Sequence, residues 1–298
     1  KYIAGGVLTA FFLALEIAAN HLQITYYLAM IILVYGIFEF VETVRRKSWP
    51  RFLRASGVLV VAALLAVGTH ATSLLISYDH TQYTTRGKSE LSHDMENQTS
   101  GLDRDYITQW SYGIGETWTL LVPDFMGGAS YAKQGEQSNM YELLVKYRVP
   151  KNDAKAIVSQ TPLYWGTQPF TSGPVYVGAL IFFLFVMGLI VVKGKYKWWL
   201  LSIAVLSVLL AWGKNFMWFT DLFLDFFPGY NKFRAVTMIL VIAEFAFPLL
   251  GMMALAKVFE KERDKNLLMK GLKYSVAILG GILLLLIAIP GVFFDFSN

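Results

Sequence analysis

Residues 2–43 read YIAGGVLTAFFLALEIAA (2–19), NH (20–21) and LQITYYLAMIILVYGIFEFVET (22–43). Each apolar run approaches or exceeds the ~20 residues that carry a helix across a bilayer. Only Asn20 to Leu22 separates them, so the pair is predicted to form a tight helical hairpin in lipid. Extending the same reading along the chain predicts further spans near 55–77, 174–192, 198–212, 235–256 and 274–291, seven in all. The fifth is short, and an aromatic stretch follows it. The expected fold class is therefore an α-helical polytopic membrane protein with about seven transmembrane helices.

Composition agrees with that reading. Of the 298 residues, 55% are hydrophobic and 16% charged, where soluble domains carry about a quarter, and the mean hydropathy is +0.48. The net charge of +5 then bears on membrane orientation and is no argument for nucleic-acid binding. The absence of cysteine excludes disulfides, thiolate metal sites and thiol nucleophiles, and four scattered histidines make a dedicated zinc site a poor expectation. No metal and no cofactor is implied. Lys1 is not preceded by Met or by a signal-like leader, and the chain stops soon after an apolar run, so an internal piece of a longer protein is expected.

The basic residues sort by segment. Stretches 42–54, 193–197 and 257–273, with Lys1, hold 15 of the 26 Lys and Arg, and the positive-inside bias assigns them to the cytoplasm. The turn at 20–22, the 78–173 loop, the 213–234 segment and the C-terminal tail are then external. The chain divides on this basis into three spans (1–77), a loop domain (78–173) and four spans (174–298). The loop, about 96 residues long with 8 basic and 11 acidic residues, is too long and too mixed for a simple connector, and an extracytoplasmic cap is expected. Within it, 137–148 has the pattern of a short helix. In 213–230, Phe216, Phe219, Phe223, Phe226 and Phe227 recur at helical spacing, with Asp221 and Asp225 four apart. That pattern suits an amphipathic interfacial helix or an aromatic belt continuing the fifth span.

A charge in hydrocarbon costs several kcal/mol unless it faces protein or water, which makes intramembrane ionisable residues the best pointers to a site. Glu16 lies about one turn below the outer end of the first span, with Asn20 and Gln23 on its helix face. His70 lies roughly 10 Å inside the outer end of the third. Each could instead be a hydrogen-bonded packing residue. Glu244, near the middle of the sixth span, is read as packing, and Glu39 and Glu42 as interfacial ion pairs with Arg45 and Arg46. Cations also stand outside, against the general trend. Lys232 and Arg234 precede the sixth helix, where a positive helix end adds to them, and Arg86 and Lys88 follow the third span in a small, hydroxyl-rich segment able to wrap a phosphate. Headgroup anchoring is the alternative. Asn97-Gln98-Thr99 matches an N-glycosylation acceptor, a short pattern that also arises by chance.

Several stretches together resemble the YfhO-like family of bacterial polytopic membrane proteins: residues 20–27 (NHLQITYY), 85–91 (TRGKSEL), 111–116 (SYGIGE), the Pro-to-Gly-Gly run 123–128, 165–174 (WGTQPFTSGP) and 231–234 (NKFR). That family is similar to the C-type glycosyltransferases, which move a sugar from a polyprenyl-phosphate carrier to an acceptor on the outer face of the membrane. The resemblance implies a multi-pass protein of the bacterial cytoplasmic membrane. Its partners would be a polyprenyl-phosphate-sugar donor, membrane lipids and a cell-wall glycopolymer acceptor, and none would be a nucleic acid. The superfamily's catalytic carboxylate sits in the first external loop and is expected upstream of Lys1. The chemistry needs a group to deprotonate the acceptor hydroxyl and cations to hold the departing phosphate. Glu16 and His21 are weak candidates for the first task; Arg86, Lys88, Lys232 and Arg234 are candidates for the second, and His70 for lining the lipid groove. A transporter or lipid flippase and a noncatalytic scaffold are the competing classes.

Overall fold

The computed structural model describes residues 1–87, 97–131, 134–289 and 291. Among its described residues the regular secondary structure is helical, joined by turns and irregular segments, with a single isolated β-bridge between Phe125 and Gly127 and no strand. The α-helices are α1 (Tyr2–Ala18), α2 (Leu22–Arg46), α3 (Trp49–Thr69), α4 (Ala71–Thr81), α5 (Arg104–Thr108), α6 (Asn139–Lys146), α7 (Lys151–Gln160), α8 (Ala179–Val191), α9 (Lys195–Ala211), α10 (Met217–Phe226), α11 (Val241–Phe259) and α12 (Lys265–Ala288). In lipid no water is available to satisfy backbone N–H and C=O groups, so a helix that satisfies its own is the economical spanning element.

Among the described residues four helices are long and apolar enough to cross a membrane: Leu22–Arg46, Trp49–Thr69, Val236–Phe259 and Lys265–Ala288. The other expected spans are shorter or broken. At 1.5 Å per residue, α1 and α8 reach only about 26 and 20 Å of the ~30 Å hydrocarbon core. α8 begins at Ala179 because Gly178 has φ +97°, outside the right-handed helical region. The expected 55–77 span is interrupted at His70, which ends α3 and opens α4 with φ −119° and ψ 14°. After α9 the chain turns by 109° into the Gly213–Phe226 segment, so the aromatic stretch does not prolong the fifth span in line. Its amphipathic part is the ten-residue α10.

The residues pack as two compact units. The first comprises Lys1–Thr108, Val192–Ala211 and Phe216–Ala246. Here α1 lies along α3, α2 lies against α9, and α9 packs on the 3-10 turn Val236–Leu240. The Gly6 position accommodates this approach, since a Cβ there would stand 2.6 Å from Val58. Between α2 and α9, Tyr35 meets the Trp199 ring edge-on at 5.0 Å, and the Trp199 indole N–H donates to the Ile31 carbonyl at 3.3 Å. The core of this unit holds Tyr27, Met30, Leu200, Ile203, Leu210, Ile239 and Leu240, while Ile3, Phe12, Leu64 and Leu75 point outward. Only 11% of the apolar window of α2, and the same share of α3, is buried. An outward apolar surface of that extent is what acyl chains cover.

The second unit comprises Gln109–Val191, Trp212–Asn215 and Phe247–Asn298. α8 packs along α12 and reaches the α11 portion of this unit, where Phe185 and Phe247 stack at 4.1 Å. α6 and α7 form a small helix pair. α6 is the short helix expected within 137–148; Ser138 caps it by accepting from the Tyr141 N–H at 3.2 Å. The chain is thus an all-helical, multi-pass membrane-associated protein.

At Gly188 a Cβ would come within 2.7 Å of the Leu250 side chain and 2.9 Å of its carbonyl oxygen. Gly188→Val should therefore push α8 off α11 and cost roughly 1–3 kcal/mol, as overpacking does. Thermal unfolding in detergent would register this as a lowered Tm, and an unchanged Tm would rule out the close approach.

Candidate functional site

The polar residues nearest the α1–α2 turn converge on one groove of about 1080 Å³ in the first unit. Asn20, His21 and Gln23 line it from the α1–α2 turn and the start of α2, Ala71 to Thr81 from α4, and Arg86, Lys232 and Arg234 from the segments beyond. Its floor is apolar, with Leu22, Val67, Leu74, Leu75, Phe233 and Met238. Three cations stand among the described lining residues, and no carboxylate does.

Local geometry explains how these cations are held. Pro228-Gly229 turns the chain after α10, and Gly229, at φ +77°, sits where a side chain is strained. The turn is pinned by the Tyr26 hydroxyl, which donates to the Pro228 carbonyl at 2.8 Å. The 97–108 stretch then fastens onto it. Arg104 donates to Asp221 at 3.1 Å and to Asp225 at 2.7 Å on α10, so the two carboxylates four residues apart serve one guanidinium. The Leu102 N–H donates to the Asn231 carbonyl at 2.9 Å, and the Asn231 amide donates to the Ser100 hydroxyl at 2.9 Å. Lys232 and Arg86 are cross-tied: Lys232 Nζ donates to the Arg86 carbonyl at 2.9 Å and to the Ser100 carbonyl at 2.5 Å, and Arg86 Nε to the Lys232 carbonyl at 3.0 Å. Arg234 donates to the Tyr106 hydroxyl at 2.7 Å and stacks over its ring at 5.5 Å, while its carbonyl accepts from Gln23 at 2.9 Å. Burial pushes the Lys232 amine below its ordinary value.

His21, Arg86, Lys232 and Arg234 are therefore brought to one groove. Lys88 lies outside the described residues. His70 is half-buried at the α3–α4 break, with Nδ1 2.8 Å from the Thr69 hydroxyl, and is not among the lining side chains. Glu16 is not among them either. Its Oε1 accepts from the Thr25 hydroxyl at 3.0 Å, and its buried Oε2 has no hydrogen-bond partner. Glu244 is exposed in the first turn of α11, not packed. Glu39 pairs with Lys195 at 2.6 Å and Glu42 with Arg46. His80 is a groove residue that sequence reasoning passed over, because α4 runs past the expected span end to Thr81. Among the described residues no three His, Asp or Glu side chains are grouped to hold a metal ion. The arrangement can hold an anion with an apolar tail, and His21 and His80 stand among its described lining residues.

A second polar centre was also not anticipated. In the second unit the Glu116 carboxylate, 2% exposed, accepts from the Tyr164 hydroxyl at 2.7 Å, the Thr167 N–H at 2.7 Å, the Thr167 hydroxyl at 3.1 Å and the Gln168 amide at 3.0 Å. It joins two of the stretches that carry the family resemblance, 111–116 and 165–174. The same loop binds the bend after α9: Trp212 donates to the Thr117 hydroxyl at 2.9 Å, the Lys214 N–H to the Ser111 hydroxyl at 2.9 Å, and the Asn215 amide to the Tyr112 carbonyl at 2.9 Å. With four donors from 164–168 aimed at its carboxylate, Glu116 is a fastening. The neighbouring Tyr164 phenol is raised, chiefly by burial.

Comparison with protein-family models, with curated proteins and with solved structures finds no match to this chain.

Glu116→Ala would strand four donors in a dry site, for a loss of at least about 3 kcal/mol. Thermal unfolding should show it, with Glu116→Gln intermediate because the amide turns one acceptor into a donor. Equal stability of all three proteins would remove the carboxylate from its fastening role.

Proposed function

We propose that the groove is the carrier site of a membrane-embedded glycosyltransferase-like protein, taking the phosphate and first isoprenoid units of a polyprenyl-phosphate sugar. The observation that supports this is the placing of Arg86, Lys232 and Arg234 together along an apolar trough. Cations grouped in this way favour an anionic headgroup, and the trough favours a hydrocarbon tail. In the reaction, the bond between the anomeric carbon and the carrier phosphate oxygen breaks as the acceptor hydroxyl oxygen attacks that carbon. The charge left on the phosphate falls to the three cations. The hydroxyl proton passes to a base, for which His21 is the candidate in the groove. Glu16 would act only if its unpartnered oxygen turned toward the groove.

On this reading the seven apolar helices cross the bacterial cytoplasmic membrane, the basic segments 42–54, 193–197 and 257–273 are cytoplasmic, and the 78–173 region is an external cap. The acceptor is then an external glycopolymer.

One observation favours a second reading. The interruptions at His70 and at Trp212–Gly213 are discontinuities of the kind found in transporters and flippases. Transbilayer movement of a fluorescent polyprenyl phosphate by the full-length protein in liposomes, without sugar transfer, would decide for that class.

Given labelled polyprenyl-phosphate sugar in liposomes, the full-length protein should transfer or hydrolyse the sugar; absence of both would end the enzyme reading. Arg86→Ala and Arg234→Ala should each weaken carrier binding by roughly tenfold, the worth of one charge-assisted hydrogen bond. Unchanged affinity in both would take the cations out of the site. Because burial holds Lys232 below the ordinary lysine value of 10.5, carrier affinity should fall as pH rises through a range below that value, where the amine loses its charge. An affinity flat up to the ordinary lysine range would exclude Lys232 as a phosphate ligand.

A further inference from the structure

The other end of α2 carries a second cavity, of about 910 Å³, also within the first unit. About 37 Å of helix separates the ends of α2 at 1.5 Å per residue. The cavity forms where the last turns of α2, the start of α3 and the 193–198 segment meet. Lys47, at φ 52°, turns the chain sharply between α2 and α3 and so places Arg45 and Arg51 at one opening.

Five cations line this cavity: Arg45, Arg46, Arg51, Lys193 and Lys195. Two are spoken for, since Glu42 pairs with Arg46 and Glu39 with Lys195. Both carboxylates of the lining are used by those pairs. Arg45, Arg51 and Lys193 therefore remain without a carboxylate partner among the described residues, and all three are exposed. Orientation bias alone would explain basic residues in this region, and the α2 C-terminus would explain Arg45. Neither explains their convergence from three chain segments on one concave site. The wall beside them is apolar and open: Ile37 is 53% exposed, Val41 42% and Trp198 54%. An exposed tryptophan next to cations marks the headgroup level of a membrane.

We propose that this cavity binds the headgroup of an anionic phospholipid, with its phosphodiester between Arg45, Arg51 and Lys193 and its glycerol and upper acyl chain against Ile37, Val41 and Trp198. The volume is far larger than a bare phosphate requires, and it lies within the range of sites for drug-sized ligands, about 300–1,000 Å³. The apolar wall would be left wet by an inorganic anion. Basic pockets among membrane helices are a recurrent setting for anionic lipids. The site is independent of the carrier groove, with which it shares no lining residue.

The full chain in detergent, titrated with phosphatidylglycerol or phosphatidylcholine and read by native mass spectrometry, should retain phosphatidylglycerol preferentially. Combined Arg45→Gln, Arg51→Gln and Lys193→Gln should cut that retention by about tenfold or more, three charge-assisted contacts being lost. Lys151→Gln, an exposed residue in neither cavity, should leave it unchanged. Equal retention of the two lipids, or undiminished retention by the triple variant, would overturn the proposal, as would equal competition by inorganic phosphate at the headgroup concentration. Should the triple variant fail to fold, the native chain still decides. Brominated phosphatidylglycerol should quench its fluorescence more than brominated phosphatidylcholine, and the excess should vanish in Trp198→Phe. No excess, or an excess that survives the substitution, would overturn the assignment.

Discussion

The clamp of Arg104 on Asp221 and Asp225 is the interaction on which the groove lined by Arg86, Lys232 and Arg234 depends. It draws a polar stretch distant in sequence onto the short aromatic helix after the bend. Once it is there, the Leu102 and Asn231 backbones pair, Ser100 accepts from Lys232, and Tyr106 receives Arg234. The carbonyl cross-ties of Lys232 and Arg86 hold both cations on the lining of the groove. Had Asp221 and Asp225 faced Lys232 and Arg234 instead, the same residues would have cancelled one another.

Charge is handled differently in the second unit. Glu116 is buried and surrounded by neutral donors, which makes it a rigid joint between 111–116 and 164–168. The same loop takes up the polar groups at the bend that follows α9. A buried carboxylate is thus no guide to catalysis by itself. What separates the two centres is vacancy: one carboxylate has its acceptors filled, while the groove cations face open volume.

Much of the fold was legible because bilayer thickness imposes a length on apolar runs. The short turn between α1 and α2, the placement of α2 and the short helix within 137–148 follow from run length and periodicity alone, whereas α12 begins at Lys265, well before the expected 274, within the stretch read as a basic connector. The interruptions do not follow from them either. Thr69-His70-Ala71 contains neither glycine nor proline, so nothing local announces that a helix stops there. The kink at Trp212–Gly213 answers to polar partners a hundred residues away. α1 and α8 likewise fall short of the bilayer core, which composition cannot reveal, since an apolar residue reads the same inside and outside a helix.

For the site, the sequence by itself determined which residues were costly or out of place: His21, Arg86, Lys232 and Arg234 stand out by charge and position. It could not say which of them share a volume. Tertiary structure decided that these four line one groove while His70 and Glu16 do not, and it added His80 and Arg104, which carry no local signal. Proximity across 146 residues, as between Arg86 and Lys232, is a property of how chain segments pack. Hydropathy and spacing act over a few turns, and the hydrogen bonds that close the groove act between segments that neither pattern relates.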